Sequence, residues 1–293
     1  MRIELLGFPT TLGMPRKALR HGPEALRAMG LVDHLQRQGL AVDDLGDITL
    51  PEGRKSDPRE LQVRKTVDAA KLQMETWLAR HQSGSLMTTI GGDHSTSLGT
   101  IWALSQMGQS FDVVWIDAHG DFNTLETTPS GNTHGMPLAM ACGLMPEYVP
   151  QLMSPADLRL WGIRSLDEGE QRLLAEHKVE VLSPDQIRHE LERAVKRLKP
   201  NVFLSFDIDS VDPVDAPGTG TPVPGGLRRH EALELVAYIA RRRHLVALDI
   251  VEYHPDLDQG QVTGDLTMAV LDTAVTGQMT QQGRYGLSAA AGN

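Results

Sequence analysis

The chain has 293 residues, of which 40% are hydrophobic, and a formal net charge of −10. This length and apolar content suffice for one large α/β domain or two smaller ones with a sizeable core. The acidic balance argues against a nucleic-acid partner, because proteins that bind a phosphate backbone concentrate Lys and Arg. Cys142 is the only cysteine, which excludes an intrachain disulfide framework and a thiolate metal cluster.

Neither secretion nor membrane association is expected from the sequence. The opening residues, MRIELLGFP, enter a predicted strand, and no basic segment leads into a long apolar run. No apolar stretch reaches the length that spans a bilayer. A reducing cytoplasmic location fits the single cysteine.

Short apolar segments alternate with longer amphipathic ones along the chain, which predicts βαβ units and a parallel sheet. The count of apolar segments gives roughly eight strands, a number allowed for a large α/β enzyme. Because no linker, low-complexity break or repeat interrupts the alternation, a single domain is predicted. In chain order the predicted strands are Arg2–Leu6, Ala41–Leu45, Ser85–Ile90, Phe111–Ile116, Leu158–Ile163, Val179–Leu182, Val202–Phe206 and Leu245–Ile250.

Helices are predicted between these strands. Two of them begin with recognisable signals, since Ser183 precedes Pro184, and Ser56 and Asp57 precede Pro58, in the order of an N-cap and a first helical residue. The predicted helices are His21–Arg37, Asp57–Arg80, Ser95–Gln106, Asp167–Glu176, Pro184–Arg197, Arg228–Arg241 and Gly264–Gln278.

Metal-type ligands follow the fourth and seventh predicted strands. Asp117, His119 and Asp121 stand at alternate positions directly after FDVVW, and Asp207 and Asp209 follow VFLSF in the same way. In an extended chain, residues two apart project from the same face. Four aspartates in one pocket are strongly unfavourable without cations, because like charges in a partly dry site cannot all stay ionised. The pattern therefore predicts a divalent metal, and the number of ligands favours a pair.

Two further strand ends carry candidate residues. Gly91, Gly92, Asp93 and His94 follow the third strand, and Glu252 follows the eighth. Ligands in open α/β sheets bind outside the carboxyl ends of the strands, so these residues are expected to converge with the aspartates. Carboxylates with two imidazoles and no thiolate suit Mn, Fe, Ni or Zn, and the excess of carboxylate favours Mn. Paired ions of this kind activate water, which makes hydrolysis the predicted reaction class.

Three motifs occur in a specific order and spacing: GGDHS at 91–95, DAHGD at 117–121 and SFDIDSVDP at 205–213. Through them the chain resembles the ureohydrolase family of arginases and agmatinases. The resemblance implies a three-layer α/β/α fold with a roughly eight-stranded, mainly parallel sheet. It also implies one catalytic domain over residues 1–293, and 281–293, a short segment rich in Gly and Ala, are expected to form a flexible tail.

The resemblance further implies a dinuclear manganese centre, with two Mn²⁺ per subunit, that hydrolyses a guanidino group. Asp117 and Asp207 would be shared between the two ions. His94 and Asp121 would complete one ligand set, and His119 and Asp209 the other. The implied metal ligands are His94, Asp117, His119, Asp121, Asp207 and Asp209.

The loop DFNTLETTPSGNTHGMP resembles the corresponding loop of arginases. The positions implied to hold the α-carboxylate of an amino acid are Asn123, Thr128, Ser130 and Asn132. Amides and hydroxyls can hydrogen-bond a carboxylate without competing for metal ions. The implied substrate is therefore L-arginine, with L-ornithine and urea as products.

The resemblance also implies roles for residues other than these carboxylate-binding ones. Asp167 would meet the α-amino group, with Glu170 and Thr221 as further substrate-binding candidates. Glu252 would orient the guanidinium through charge-assisted hydrogen bonds. His134 would shuttle protons, a role its near-neutral titration permits. Asp121 would pass a proton to the leaving amine, and the family implies a homo-oligomer, a trimer or hexamer.

Alternative explanations accompany these assignments. Asp167 is also explained as a helix N-cap and Glu252 as a solvated acid at a strand end, and the first alternative is the stronger because Asp167 stands where a helix should begin. A ureohydrolase acting on agmatine or guanidinobutyrate, or a catalytically silent metal-binding protein, are the competing functions. Departures from the arginase pattern occur at positions 17–19, at Ser165, where an acid is frequent, and at 210–211.

Overall fold

Eight strands build the sheet of this protein in the computed structural model, which describes residues 1–14, 17–51, 54 and 56–290. Their bounds are β1 (Arg2–Phe8), β2 (Ala41–Asp47), β3 (Leu86–Gly91), β4 (Asp112–Ile116), β5 (Leu158–Trp161), β6 (Glu180–Leu182), β7 (Asn201–Asp207) and β8 (His244–Val251). Their spatial order is β2-β1-β3-β8-β7-β4-β5-β6, and each neighbouring pair is parallel. The predicted eight-stranded parallel sheet is confirmed.

Helices cover both faces of this sheet. Their bounds are α1 (Gly22–Ala28), α2 (Leu31–Arg37), α3 (Arg59–Arg80), α4 (Thr96–Gln106), α5 (Pro137–Ala141), α6 (Glu168–Glu176), α7 (Pro184–Arg197), α8 (Arg229–Ala240) and α9 (Val262–Ala290). Helices α1, α2, α7, α8 and α9 contribute to one hydrophobic core, and α3, α4, α5 and α6 to a second one.

The central strand β4 shows how the sequence builds these two cores. All five of its residues are buried, as expected for a parallel strand covered on both faces. Val113 and Trp115 pack into the core with α3 and α4, whereas Val114 and Ile116 pack into the core with α8 and α9. Alternate side chains of one strand thus face opposite helix layers, which confirms the predicted three-layer α/β/α arrangement.

Two helix predictions need correction, and one helix was missed. The single helix predicted over His21–Arg37 is two helices, because Gly30 adopts a left-handed conformation with φ 84 between them. The helix predicted from Asp57 begins at Arg59, with Pro58 itself as the extended N-cap. A residue that precedes proline is disfavoured in the α conformation, which explains why Asp57 stays outside. Short α5 was not predicted.

In the second half of the chain, the start of α7 is predicted correctly, whereas the last helix is longer than predicted. At α7 the expected cap is present, since Ser183 Oγ accepts from the Gln186 N–H and Gln186 Oε1 accepts from the Ser183 N–H. Helix α9 extends to Ala290 and so includes most of the segment predicted as a flexible tail, while 291–293 lie outside the described residues. Flexibility of that segment stays a prediction. None of the helices in the described ranges is long and apolar enough to cross a membrane.

The order of the strands in the sheet places the predicted metal-binding and catalytic residues side by side. Four consecutive strands, β3, β8, β7 and β4, carry at their carboxyl ends the residues singled out in the sequence. Backbone hydrogen bonds fix these ends to one another: the Glu252 N–H donates to the Gly92 carbonyl at 2.8 Å, and the Gly92 N–H donates to the Phe8 carbonyl at 3.0 Å. The convergence of these strand ends at one edge is confirmed.

Gly92 is expected to be irreplaceable at this edge. A Cβ at Gly92 would lie 1.9 Å from the carbonyl oxygen of Thr10, a backbone atom that cannot rotate away. We expect Gly92→Ala to lower the free energy of unfolding by about 3 kcal/mol through overpacking, measured by urea denaturation. Gly283→Ala in α9, where a Cβ meets no atom within 4 Å, serves as the control and should leave stability unchanged or slightly raised. Equal stability of the two variants would contradict this.

Candidate metal centre and substrate cavity

His94 lies at the centre of the first group of candidate ligands. Its Nδ1 atom is 2.8 Å from Asp117 Oδ2, 3.2 Å from Asp121 Oδ2 and 3.0 Å from Asp207 Oδ2. The four side chains are almost fully buried. Despite these short distances, Nδ1 has no hydrogen-bond partner in acceptable geometry within the described residues. A buried nitrogen that faces three carboxylate oxygens without bonding to any of them has the environment of a metal ligand.

His119 forms the second group with two aspartates. Its Nδ1 atom is 3.1 Å from Asp209 Oδ2 and 3.4 Å from Asp117 Oδ1. Asp209 is held by the Thr221 hydroxyl, which donates to Oδ2 at 2.7 Å, and by the Ala118 N–H, which donates to Oδ1 at 3.2 Å. Since Asp117 contributes one oxygen to each group, it is placed between the two histidines.

The ligand atoms of each group are close enough to hold one ion. Those of His94, Asp117 and Asp121, and those of His119, Asp117 and Asp209, lie within 4.8 Å of one another. Asp207 contacts His94 directly, and its Oδ1 accepts from the Asp209 N–H at 2.7 Å. The donor set of imidazole nitrogen and carboxylate oxygen, with no thiolate, fits the divalent ions expected from the sequence.

The charges in this cluster show that it attracts cations. Burial works to lower the pKa of both histidines, but contact with the aspartates outweighs burial, so the pKa of His119 is raised to about 12 and that of His94 well above 6.5. Burial raises the pKa of Asp207 well above its usual value, reinforced by the charges of Asp209 and Asp117. The carboxylates therefore favour positive charge beside them, a role that divalent ions fill more completely than imidazoles.

Trp115 supports both histidine and aspartate in the first group. Its indole ring stacks on the His94 ring with centroids 3.7 Å apart and planes at 8°. Its Nε1–H donates to Asp117 Oδ2 at 2.9 Å. No role was predicted for Trp115, although its position two residues before Asp117 on the same strand face was a signal that it would lie beside that ligand.

Two of the predicted catalytic residues have left-handed backbone conformations. Asp121 has φ 48 and Glu252 has φ 62, and both belong to the small set of described non-glycine residues with positive φ. Such conformations cost about 1–3 kcal/mol each and concentrate at functional sites. Both residues lie directly after strands at the carboxyl edge, where the surrounding hydrogen bonds fix them.

A cavity of about 200 Å³ opens beside the metal-type ligands. It is lined by two of them, His119 and Asp121, and by most of the predicted substrate-binding residues. The structure thus brings together side chains from the loop after β4, from the start of α6 and from the loop after β7. The lining residues are His119, Asp121, Asn123, Thr128, Ser130, Asn132, His134, Gly135, Ser165, Asp167, Glu170 and Thr221.

Asp167 fits both of its sequence-based explanations. It occupies the N-cap of α6, and it also lines the cavity, where its Oδ2 accepts from Asn123 Nδ2 at 3.0 Å. Glu170, three residues later, is buried and accepts from the Phe122 N–H at 2.8 Å. Burial raises the pKa of Glu170 to about 8. The main contact of Glu170 therefore holds the backbone directly after Asp121, although the residue also lines the cavity.

Glu252 lies behind the cavity wall rather than in it. It is buried, its Oε1 is 3.3 Å from His134 Nδ1, and its Oε2 has no hydrogen-bond partner within the described residues. The alternative of a solvated strand-end acid is therefore wrong. A contact between Glu252 and a guanidinium stays a prediction, which the unpaired oxygen supports.

Arg164 is a further residue that sequence reasoning missed. Its Nη2 donates to the carbonyl of Asp209 at 2.7 Å and to that of Val223 at 2.6 Å. It therefore ties the strand end that carries Asp209 to the loop that carries Thr221. Five hydrogen bonds to backbone carbonyls explain why an arginine is needed here, since its guanidinium has five donors in a fixed plane.

Removing the charge of Glu252 should change the titration of His134. Burial lowers the pKa of His134, but the hydrogen bond and charge of Glu252 outweigh this and raise it to about 9. The near-neutral titration expected from the sequence therefore does not apply while this pair is intact. We expect Glu252→Gln to lower the His134 pKa from about 9 toward 6.5, measured by NMR titration of the metal-free protein. Asp256→Asn, an exposed acid beside His21, is the control. A His134 pKa that stays near 9 in Glu252→Gln would contradict the pairing.

Comparison with known proteins agrees with this site. The model of the Arginase family matches residues 1–277. The arginase of Bacillus caldovelox is 33% identical over 287 residues, covering 92% of this chain and 96% of that protein.

Two crystal structures are also similar. That of arginase from Bacillus subtilis superposes with a TM-score of 0.85 at 31% identity, covering 94% of this chain and 98% of that one. Entamoeba histolytica arginase in complex with L-ornithine gives a TM-score of 0.84 at 28% identity, with the same coverage. The chain therefore belongs to the arginase family, and the arginase-type hydrolase indicated by its motifs is confirmed.

Proposed function

We propose that this protein is a dinuclear-manganese arginase that hydrolyses the guanidino group of L-arginine to L-ornithine and urea. The observation that carries the proposal is the pair of ligand groups sharing Asp117 at the floor of a cavity lined by hydroxyl and amide side chains. Membership of the arginase family and the L-ornithine complex of the Entamoeba histolytica relative support it.

The proposed ligands of the two ions follow the two groups. His94 and Asp121 would hold one ion, His119 and Asp209 the other, and Asp117 and Asp207 would be shared. The excess of carboxylate over imidazole favours Mn among the ions that such a site accepts. Bound divalent ions would supply Lewis acidity and a water of lowered pKa at this place.

The cavity wall supports recognition of an amino acid. Thr128 and Ser130 present hydroxyls 3.3 Å apart, and Asn123 and Asn132 present amides, so the wall offers donors to an α-carboxylate without another negative charge. Asp167 on the same wall would accept from the α-amino group. A substrate with both groups would therefore be bound at both ends of its zwitterion.

Proton movements fall to two residues near the cavity floor. Asp121 lines the cavity and lies beside His94, from where it would pass a proton to the leaving amine. His134 lines the cavity and contacts Glu252. If a guanidinium pairs with Glu252 in place of His134, the His134 pKa should fall, because the positive charge of the guanidinium offsets the carboxylate that raises this pKa. The exchange would make His134 a better proton shuttle in the complex.

Ser165 distinguishes this cavity from the usual pattern. It lines the cavity two residues before Asp167, at a position where an acid is frequent in arginases. The loss of an acid there leaves space and one negative charge fewer near the proposed α-amino contact. A guanidino acid with a longer or altered side chain is therefore the second candidate substrate. The homo-oligomer, a trimer or hexamer, stays a prediction from the resemblance, and the cytoplasmic location stays a prediction from the single cysteine.

Substrate choice can be tested directly. We expect urea release from L-arginine with added Mn²⁺, and at least about 100-fold lower kcat/KM with agmatine, because agmatine lacks the carboxylate that the cavity wall is proposed to bind. 4-Guanidinobutyrate, which keeps a carboxylate but no amino group, should be intermediate. The measurement is colorimetric urea release at matched substrate concentrations. Preference for agmatine would contradict the arginase proposal, and absence of urea from all three despite bound metal would contradict any ureohydrolase.

Removal of Asp209 tests the second ligand group. We expect Asp209→Ala to retain one Mn²⁺ per chain instead of two and to lose more than about 100-fold in turnover, because one ligand group loses its unshared carboxylate. Metal analysis after dialysis and the urea assay measure both effects. Asp212→Ala, an acid just beyond the same strand that accepts only loop N–H groups, is the matched control. Full metal content and full turnover in Asp209→Ala would refute the dinuclear centre.

A further inference from the structure

Asp93 is a fully buried acid to which the proposed chemistry gives no role. Its carboxylate accepts four hydrogen bonds, which uses about all of the lone-pair sites that a carboxylate offers. Oδ2 accepts from the backbone N–H groups of Gly13 and Met14 at 2.8 and 3.0 Å. Oδ1 accepts from the backbone N–H of Ser95 at 3.0 Å and from the Ser95 hydroxyl. One oxygen thus serves the start of α4, and the other serves a loop far earlier in the chain.

That loop is the segment 9–14, which follows β1 and forms neither helix nor strand. Thr10, Leu12 and Met14 in this loop are buried, so the backbone N–H groups of the loop need partners inside the protein. The Asp93 carboxylate accepts from two of these groups, and the Asp93 N–H donates to the Thr10 carbonyl at 2.9 Å. Asp93 therefore holds the loop 9–14 in place.

The loop 9–14 in turn holds His134 through Gly13. The Gly13 carbonyl accepts from the His134 N–H at 3.3 Å, while Nδ1 of the His134 ring is 3.3 Å from Glu252 Oε1. A Cβ added to Gly13 would lie 2.7 Å from the His134 backbone nitrogen, from the His134 Cβ and from Asp93 Oδ1. Gly13 is therefore packed directly between Asp93 and His134, with no space for a side chain.

The position of His134 matters because a general acid or base must lie within hydrogen-bond reach of the group with which it exchanges a proton. A displacement of about 1 Å can cost about 100-fold in rate. His134 lines the cavity, whereas Asp93 and the loop 9–14 lie outside the cavity lining. The loop can therefore act on the reaction through the backbone of His134 without contacting a substrate.

We propose that Asp93 is a positioning residue which, through the main chain of Gly13, holds His134 where its ring meets both Glu252 and the cavity. The inference rests on the proposed function, because it requires that His134 carries a proton in the reaction. The hydrogen bonds that link Asp93 to His134 involve none of the metal-type ligands.

The first test is hydrogen–deuterium exchange of the full-length protein with Mn²⁺ present, read by mass spectrometry in peptides that cover 133–135. Asp93→Ala removes the acceptor of the Gly13 and Met14 N–H groups. We expect exchange at His134 to become at least about tenfold faster, because hydrogen bonds to a charged group no longer oppose local opening of the loop.

Ser95→Ala is the matched control for this exchange measurement. It removes one hydrogen bond to the same carboxylate, on the oxygen that does not bind Gly13 and Met14. We expect exchange at His134 in Ser95→Ala to stay within about threefold of wild type, because the contacts that hold the loop are kept.

The second test separates a positioning role from a merely structural one. At saturating Mn²⁺, we expect Asp93→Ala to lower kcat for urea release from L-arginine by about 10–100-fold. KM should change by less than about threefold, because the hydroxyls and amides of the cavity wall are untouched. In a His134→Ala background, Asp93→Ala should change kcat by less than about threefold, because the side chain that it displaces is already absent.

Gly13→Ala is an independent variant, which also replaces Asp93→Ala if that variant does not fold. Its added Cβ would press on the backbone nitrogen of His134, while the Asp93 carboxylate and its hydrogen bonds with Ser95 are kept. We expect Gly13→Ala to give the same faster exchange at His134 and the same loss of kcat. That loss should also disappear in a His134→Ala background.

The outcomes distinguish this inference from the proposed function. Wild-type exchange at His134 in Asp93→Ala, or losses of kcat that multiply when Asp93→Ala is combined with His134→Ala, would overturn the role of Asp93 and leave the proposed function intact. Wild-type protein that releases no urea from L-arginine with Mn²⁺ present would overturn the proposed function and this inference together. The exchange measurement needs no substrate, so the two failures are told apart.

Discussion

The concentration of carboxylates at one edge of the sheet is the constraint on which the rest of the structure depends. Strands β3, β8, β7 and β4 are neighbours, so the residues that follow them necessarily meet. Four aspartates and two imidazoles share this buried space, and mutual repulsion would be prohibitive without compensating positive charge. The raised histidine pKa values express this need. A cation site at this edge is therefore what the charge imbalance favours, because divalent ions would remove it.

Much of the surrounding architecture serves to keep that arrangement rigid. Asp121 and Glu252 are held in left-handed conformations, and Trp115 fixes one ligand from each of two strands. Arg164 ties the end of β7 to the adjoining loop. These contacts hold the side chains of the site in fixed positions, and such preorganisation is a main source of catalytic power.

The sequence predicts those parts of the fold and site that depend on local pattern. Apolar runs locate all eight strands, and the alternate spacing after Phe111–Ile116 identifies Asp117, His119 and Asp121. What it misses depends on tertiary contacts or single backbone angles. The break at Gly30 comes from one left-handed residue. The contacts of Arg164 with Asp209 and Val223 join segments far apart in the chain, which chain succession does not reveal.

The most direct test of the central claim is anomalous X-ray diffraction at the manganese absorption edge from crystals of the protein grown with Mn²⁺. The account predicts two anomalous peaks on either side of Asp117, one beside His94 Nδ1 and the other beside His119 Nδ1. Two-metal sites have ions about 3.5–4 Å apart, so the peaks should be separated by that distance. A single peak, or none between these two histidines, would contradict it.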